Sequence, residues 1–290
     1  MKLIELVERS SARLEEAGVS FGHGTTNAFD EAAWLVLWRL GLPLDDLEGV
    51  AEQPLTADEC QSVDALVSQR ISTRRPAAYL TGEAWLQGVP FHVDERCIVP
   101  RSLIAEVLCE GVIDPWLEAA GVHAPQVLDL CTGNGSLAVL AALCWPQAQV
   151  EGTDLSAQAL AVAQQNVLRH GFQGRVNLKE GDGLSAARGP YDLILCNPPY
   201  VNRTSLQALP PEYRAEPALA LDGGADGMDF IRPLLAQAPG YLRPGGVLVL
   251  EIGHERAHFE AAFPVLSPLW LSTSAGDDQV LLLTREDLPP

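Results

Sequence analysis

Tyr191-Asp192-Leu193-Ile194-Leu195-Cys196-Asn197-Pro198-Pro199-Tyr200 is the stretch that decides how the rest of the chain is read. Its first six residues form a short, mostly apolar run of the kind that becomes a buried strand. The two prolines end that strand. Neither carries an N–H, and Pro198 keeps the residue before it extended. The strand end is therefore stiff and rich in acceptors: the Asn197 side-chain carbonyl, the Pro198 backbone carbonyl and the flat face of Tyr200. Such a site suits a substrate that donates hydrogen bonds from a planar NH2 group. A plain strand-to-loop turn is the alternative, and the residues upstream decide between the two.

Upstream, Gln126 to Leu130 reads as a buried strand that runs into Cys131-Thr132-Gly133-Asn134-Gly135, with a helix from about Ser136. Glycines here let the backbone approach a ligand at the crevice where α/β sheets bind ligands. Gly133-x-Gly135-x-x-Ala138 also satisfies a dinucleotide fingerprint, with Asp154 about 20 residues beyond it. A dinucleotide would set its pyrophosphate at the helix start, where Asp129 would repel it. A nucleoside with a cationic amino-acid tail meets no such penalty. Asp154 ends the next strand, Gln149 to Thr153, and suits ribose hydroxyls. Asp182 follows the strand Val176 to Glu180 and suits an adenine amino group. Three carboxylates at successive strand ends, then Asn-Pro-Pro-Tyr at the fourth, match S-adenosylmethionine better than NAD.

Outward from this centre, a fifth strand is expected over Val247 to Ile252, followed by a helix over His254 to Phe263. Leu269 to Ser274 and Val280 to Thr284 complete a mostly parallel sheet with an antiparallel pair at its end. The long segment Val201 to Gly227 has the length of a functional loop. Within it, Asp222-Gly223-Gly224 is either a glycine turn or part of the substrate entrance. Before the sheet, helices are expected over Lys2 to Ala17, after a cap at Asn27, and from Thr56-Ala57-Asp58-Glu59, a capping box, to about Thr73. Tyr79 to Trp85 and Phe91 to Val99 read as a hairpin around Gly88-Val89-Pro90. The expected organisation is thus a helical domain over residues 1–75 that recognises substrate, a hairpin linker over 76–101 and a catalytic domain over 102–290.

These motifs resemble those of class I S-adenosylmethionine-dependent methyltransferases that modify planar amino groups. The front helical region and hairpin narrow the resemblance to the protein-(glutamine-N5) methyltransferases. Phe91-His92-Val93-Asp94-Glu95-Arg96, Ile98-Val99-Pro100-Arg101-Ser102, Leu209-Pro210-Pro211-Glu212-Tyr213-Arg214-Ala215-Glu216-Pro217 and Asp226-Gly227 look like the branch acting on the third protein of the large ribosomal subunit. The resemblance implies a Rossmann-like, seven-stranded α/β domain behind the helical one. It implies a cofactor site at Asp129, Cys131, Gly133, Gly135, Asp154, Asp182 and Asn197, and a substrate site at Asn197, Pro198, Pro199 and Tyr200. Asn197, Pro198 and Tyr200 would carry the catalysis. Cys131 stands where the wider class usually has glycine. The sister branch methylates the glutamine of peptide-chain release factors, and nucleic-acid base methylation and a non-catalytic assembly factor are the more distant alternatives.

The net charge of −19 argues against a duplex DNA binder, which needs a basic footprint. It favours encounter with a basic protein such as a ribosomal one. The N-terminus lacks a signal-peptide pattern and no transmembrane run occurs, so a cytoplasmic protein is expected. The six cysteines show no C-x-x-C spacing and read as small apolar residues. His254-Glu255-Arg256-Ala257-His258 matches a zinc-protease pattern, but it is expected on a surface helix far from the strand ends, and no metal is expected. His23, His92, His123 and His170 read as surface residues, and Asp277-Asp278 as a turn.

Overall fold

The computed structural model describes residues 1–289. The front of the chain is helical: α1 (Leu3–Glu16), α2 (Ala28–Leu40), α3 (Leu47–Val50), α4 (Ala57–Thr73) and α5 (Ala77–Thr81). Asn27 accepts from the Asp30 N–H and Thr56 forms a reciprocal box with Glu59, which satisfies amide groups that helix starts leave unpaired. Leu3, Leu6, Leu35, Leu37 and Val67 pack into one core with Trp34.

A two-stranded antiparallel hairpin follows, β1 (Glu83–Leu86) and β2 (Val89–His92). It is shorter than the sequence suggested. Tyr79 to Thr81 belong to α5, because Ala77, Ala78 and Tyr79 bury themselves in the helical core and not in a sheet. A short apolar run fits either element, and here helix packing wins. Beyond β2, Val93, Cys97 and Val99 enter the same core without forming a strand.

After α6 (Ile104–Cys109) and α7 (Asp114–Ala119), the chain builds a seven-stranded sheet around α8 (Ser136–Cys144) and α9 (Ala157–Arg169). The strands are β3 (Gln126–Leu130), β4 (Gln149–Asp154), β5 (Val176–Glu180), β6 (Tyr191–Cys196), β7 (Leu242–Glu251), β8 (Leu269–Thr273) and β9 (Gly276–Thr284). Their order is β5-β4-β3-β6-β7-β9-β8. The first five are mutually parallel, and β9 runs antiparallel to both β7 and β8. β6 is buried along its whole length, which explains its unbroken apolar run. Two further cores cover the faces of the sheet. The long segment after Tyr200 is not structureless: it holds α10 (Arg203–Ala208) and two 3-10 turns, and α11 (Ile231–Gln237) follows. The last helix, α12, spans Arg256–Ala262. No helix among the described residues is long and apolar enough to cross a membrane.

Candidate active site

The strand order reverses beside β3: β4 lies on one side of it and β6 on the other. Open α/β sheets bind ligands in the crevice at such a reversal, outside the carboxyl ends of the strands. Leu130 pairs with Cys196 across β3 and β6. The turn at Cys131–Gly135 and the stretch Asn197–Tyr200, more than sixty positions apart in the chain, therefore leave the sheet side by side.

The turn is held from below and from the side. Asp129 is fully buried, and its Oδ2 accepts from the Thr132 hydroxyl at 2.5 Å and the Ala138 N–H at 2.9 Å. Its Oδ1 has no partner. Burial pushes the carboxyl up to about 7, as expected for a charge left short of partners. Asp154 accepts from the Gly133 N–H and the Ser156 N–H, both at 2.9 Å. Gly135 has φ +80°, and a Cβ there would stand 3.0 Å from that of Ala163. Cys131 adopts φ +62°, a left-handed conformation that favours glycine. Asn166, fully buried, donates to the carbonyls of His92 and Asn134 and accepts from the His92 N–H, so the hairpin is tied to the turn.

Two cavities meet here. The first, of about 140 Å³, is lined by Cys131, Gly133, Asp154, Asp182, Asn197 and Pro199, among others. The second, of about 160 Å³, is lined by Asn197, Pro198, Tyr200, Arg101 and Tyr213, with apolar neighbours. Asn197 stands on the wall common to both. Asp129 lies beneath the turn and lines neither. The first cavity fits a nucleoside with an ammonium-bearing tail. Asp154 and Asp182 supply acceptors at its rim, and the unpartnered oxygen of Asp129 lies beneath the glycine turn.

Tyr200 is the most constrained of these residues. Its hydroxyl donates to Glu251 at 3.3 Å. Glu251 is buried and also accepts from the Ser102 hydroxyl at 2.6 Å and the Leu103 N–H at 2.9 Å. Burial pushes both the Tyr200 phenol and the Glu251 carboxyl up. Val201 donates to Leu221 and accepts from Gly223, both at 2.9 Å. Asp222-Gly223-Gly224 thus folds back on the loop after Tyr200, and a Cβ on Gly223 would lie 2.7 Å from the Tyr200 backbone.

Several sequence expectations change. His254 to His258 does not lie far from the site. β7 is the direct neighbour of β6, so its end falls beside Tyr200. Glu255 is buried and accepts from the Asn202 side chain at 2.7 Å. His254 precedes α12, so the two histidines do not share a helix face, and no metal-binding cluster exists among the described residues. His23 is not a surface residue. It is 1% exposed, with Nε2 3.4 Å from Glu216 Oε2. His92 and His170 are half-buried, with His170 packed on Phe91. Arg96, Cys97, Ile98, Pro217 and Phe230 also line the first cavity. Arg96, Ile98 and Pro217 fall in stretches that carry the family resemblance, but nothing in the sequence gives them, Cys97 or Phe230 a place at this cavity, because separate loops bring them there.

The chain matches the family model of the methyltransferase small domain over residues 114–209 and that of the PrmC N-terminal domain over residues 5–82. It is 55% identical to the ribosomal protein uL3 glutamine methyltransferase of Bordetella pertussis, over 99% of this chain and 96% of that protein. Identity to the protein of the same name in Burkholderia pseudomallei is 49%, over 98% and 95%. For Neisseria meningitidis serogroup B it is 47%, over 98% and 93%. The solved hMettl16 catalytic domain, in complex with MAT2A 3'UTR hairpin 6, shares the fold with a TM-score of 0.51 at 13% identity, over 79% of this chain and 81% of that one.

Proposed function

We propose that this chain, which belongs to the ribosomal protein uL3 glutamine methyltransferase family, transfers a methyl group from S-adenosylmethionine to the side-chain amide nitrogen of a glutamine in uL3. The observation that carries the reading is the position of Asn197 between the two cavities. S-adenosylmethionine, when bound, supplies an electrophilic methyl on a sulfonium, and would leave as S-adenosylhomocysteine when that carbon–sulfur bond breaks. Asp182 would accept from its adenine amino group and Asp154 from its ribose. Cys131, Gly133 and Gly135 would cradle the amino-acid tail, whose ammonium Asp129 would balance.

An amide nitrogen is a poor nucleophile, because its lone pair is delocalised into the carbonyl. The second cavity would counter this. The Asn197 side-chain oxygen and the Pro198 carbonyl accept the two amide N–H bonds and turn the emerging lone pair toward the first cavity. As the nitrogen becomes tetrahedral and cationic, both acceptors bind it more strongly, so they favour the transition state over the ground state. Tyr200 packs on the amide plane, and Pro199 stiffens the loop. The nitrogen then loses one proton to solvent, and no general base is needed. Alignment supplies much of the remaining rate.

We further read residues 1–75 as the substrate-recognition domain, 76–101 as a linker and 102–290 as the catalytic domain. The excess negative charge suits a basic ribosomal protein, free or in an assembling particle, and argues against duplex DNA as the partner. The cytoplasm is the place of action. The test is incubation of the protein with labelled S-adenosylmethionine and, separately, purified uL3, release factor and ribosomal RNA. Label in uL3 supports the reading; label confined to release factor or RNA overturns it.

A further inference from the structure

Tyr213 lines the second cavity; it falls in the family-like stretch Leu209–Pro217, which by itself gives it no role at the site. It lies in the 3-10 turn Pro211–Ala215, between two buried carboxylates, Glu212 and Glu216. Both are gripped by residues from the front of the chain. Glu212 accepts from the Ser20 N–H and from Arg74, each at 3.1 Å, and Arg70 lies 3.5 Å away. Glu216 accepts both Arg101 nitrogens, at 2.6 and 2.8 Å, and the Val99 N–H at 2.9 Å. The Tyr213 ring is packed between the buried His23, at 4.3 Å between centroids, and the Arg101 guanidinium, 5.4 Å from its centre. A Cβ on Gly22 would stand 3.0 Å from the Tyr213 hydroxyl.

Two buried ion pairs, a histidine prop and a glycine contact are a large investment for a surface loop, since taking charges out of water is costly unless geometry is good. What they fix in common is the position of one ring. We propose that Tyr213 is a second substrate-binding aromatic of the acceptor cavity, and that Glu212, Glu216, Arg101 and His23 are positioning residues for it. On this account the front helical region builds part of the acceptor site. It supplies Ser20, Gly22, His23, Arg70 and Arg74, which set the wall that the acceptor amide meets. The inference rests on reading that cavity as the glutamine site.

The test compares wild type with Tyr213→Ala, Tyr213→Phe and Glu216→Gln. Steady-state methylation of uL3 is read together with S-adenosylmethionine affinity by calorimetry, which reports an intact fold. Tyr213→Ala is expected to raise KM for uL3 about tenfold or more with cofactor affinity unchanged, as for loss of one buried aromatic contact. Tyr213→Phe keeps the ring and should stay within about twofold of wild type. Glu216→Gln should raise the same KM by a smaller factor. A Tyr213→Ala enzyme with wild-type KM overturns the inference alone. A wild-type enzyme that binds cofactor but leaves uL3 unmethylated overturns the functional reading, and the inference with it.

Discussion

A Cβ on Gly253 would stand 2.6 Å from Cε2 of Tyr200. The end of β7 thus presses bare backbone against the aromatic ring of the neighbouring strand end. Gly227 does the same to the Tyr200 carbonyl, at 2.3 Å. With Glu251 on the hydroxyl, Tyr200 is fixed on three sides. Gly253→Ala is expected to displace the ring and lower kcat by on the order of a hundredfold, the effect of a misplacement of about 1 Å in a reacting assembly. Cofactor affinity should be unchanged, because Gly253 lies away from the first cavity. Single-turnover kinetics alongside calorimetry separate the two.

Asp154 fixes the cofactor turn as well as lining its cavity. Removing its side chain leaves the N–H groups of Gly133 and Ser156 without their acceptor. Lost hydrogen bonds of this kind cost about 1–3 kcal/mol each. Asp154→Ala should therefore weaken S-adenosylmethionine binding by roughly tenfold to a hundredfold. Calorimetric titration measures it, and an unchanged Kd would remove Asp154 from the site.

Glu216 makes stability depend on acid. Burial alone would raise its carboxyl, but Arg101 and His23 outweigh burial and bring it down from the ordinary 4.5 to about 2. A carboxylate lowered on folding adds stability above its unfolded pKa, and that stability is lost as pH falls through the folded value. The window is therefore from about 4.5 down to about 2. A difference of that size corresponds to roughly 3 kcal/mol. Thermal melts across the window should show a steeper loss for wild type than for Glu216→Gln. Parallel curves for the two proteins would contradict the assignment.

Cys131 holds a left-handed backbone, which costs an L-residue roughly 1–2 kcal/mol. Glycine removes that cost but gains freedom in the unfolded chain, worth about 0.4–1 kcal/mol. Cys131→Gly should thus be neutral to slightly stabilising in chemical denaturation and keep cofactor affinity. A large loss of affinity would show that the thiol itself contacts the cofactor.

Much of this was legible in the sequence. β3, β5 and β6 span the expected residues, because β3 and β6 are short, mostly apolar runs and β5 alternates Val176 and Leu178 with polar residues, and the caps at Asn27, Thr56 and Ser156 form as their side chains dictate. The convergence of the glycine turn with Asn197 followed from strand-end placement in an α/β sheet. Other features were hidden for physical reasons. Residues 77–81 are too short to distinguish strand from helix by periodicity. His23 reads as polar, and the residues it is buried against, Glu216 and Tyr213, are far away in the chain. The grip on Glu212 comes from Ser20, Arg70 and Arg74, far away in the chain. No local pattern encodes such contacts. Glu255 sits beside Tyr200 only because β7 chose β6 as its neighbour.

The central claim is that Asn197 presents a uL3 glutamine amide to the methyl donor. Mass spectrometry of uL3 after incubation with S-adenosylmethionine and either wild type or Asn197→Ala tests it most directly. The account predicts one added methyl on a glutamine side chain with wild type, and a loss of at least about a hundredfold in rate with Asn197→Ala at unchanged fold. Methylation of that glutamine by Asn197→Ala at the wild-type rate, or a methyl group found on another residue type, would contradict it.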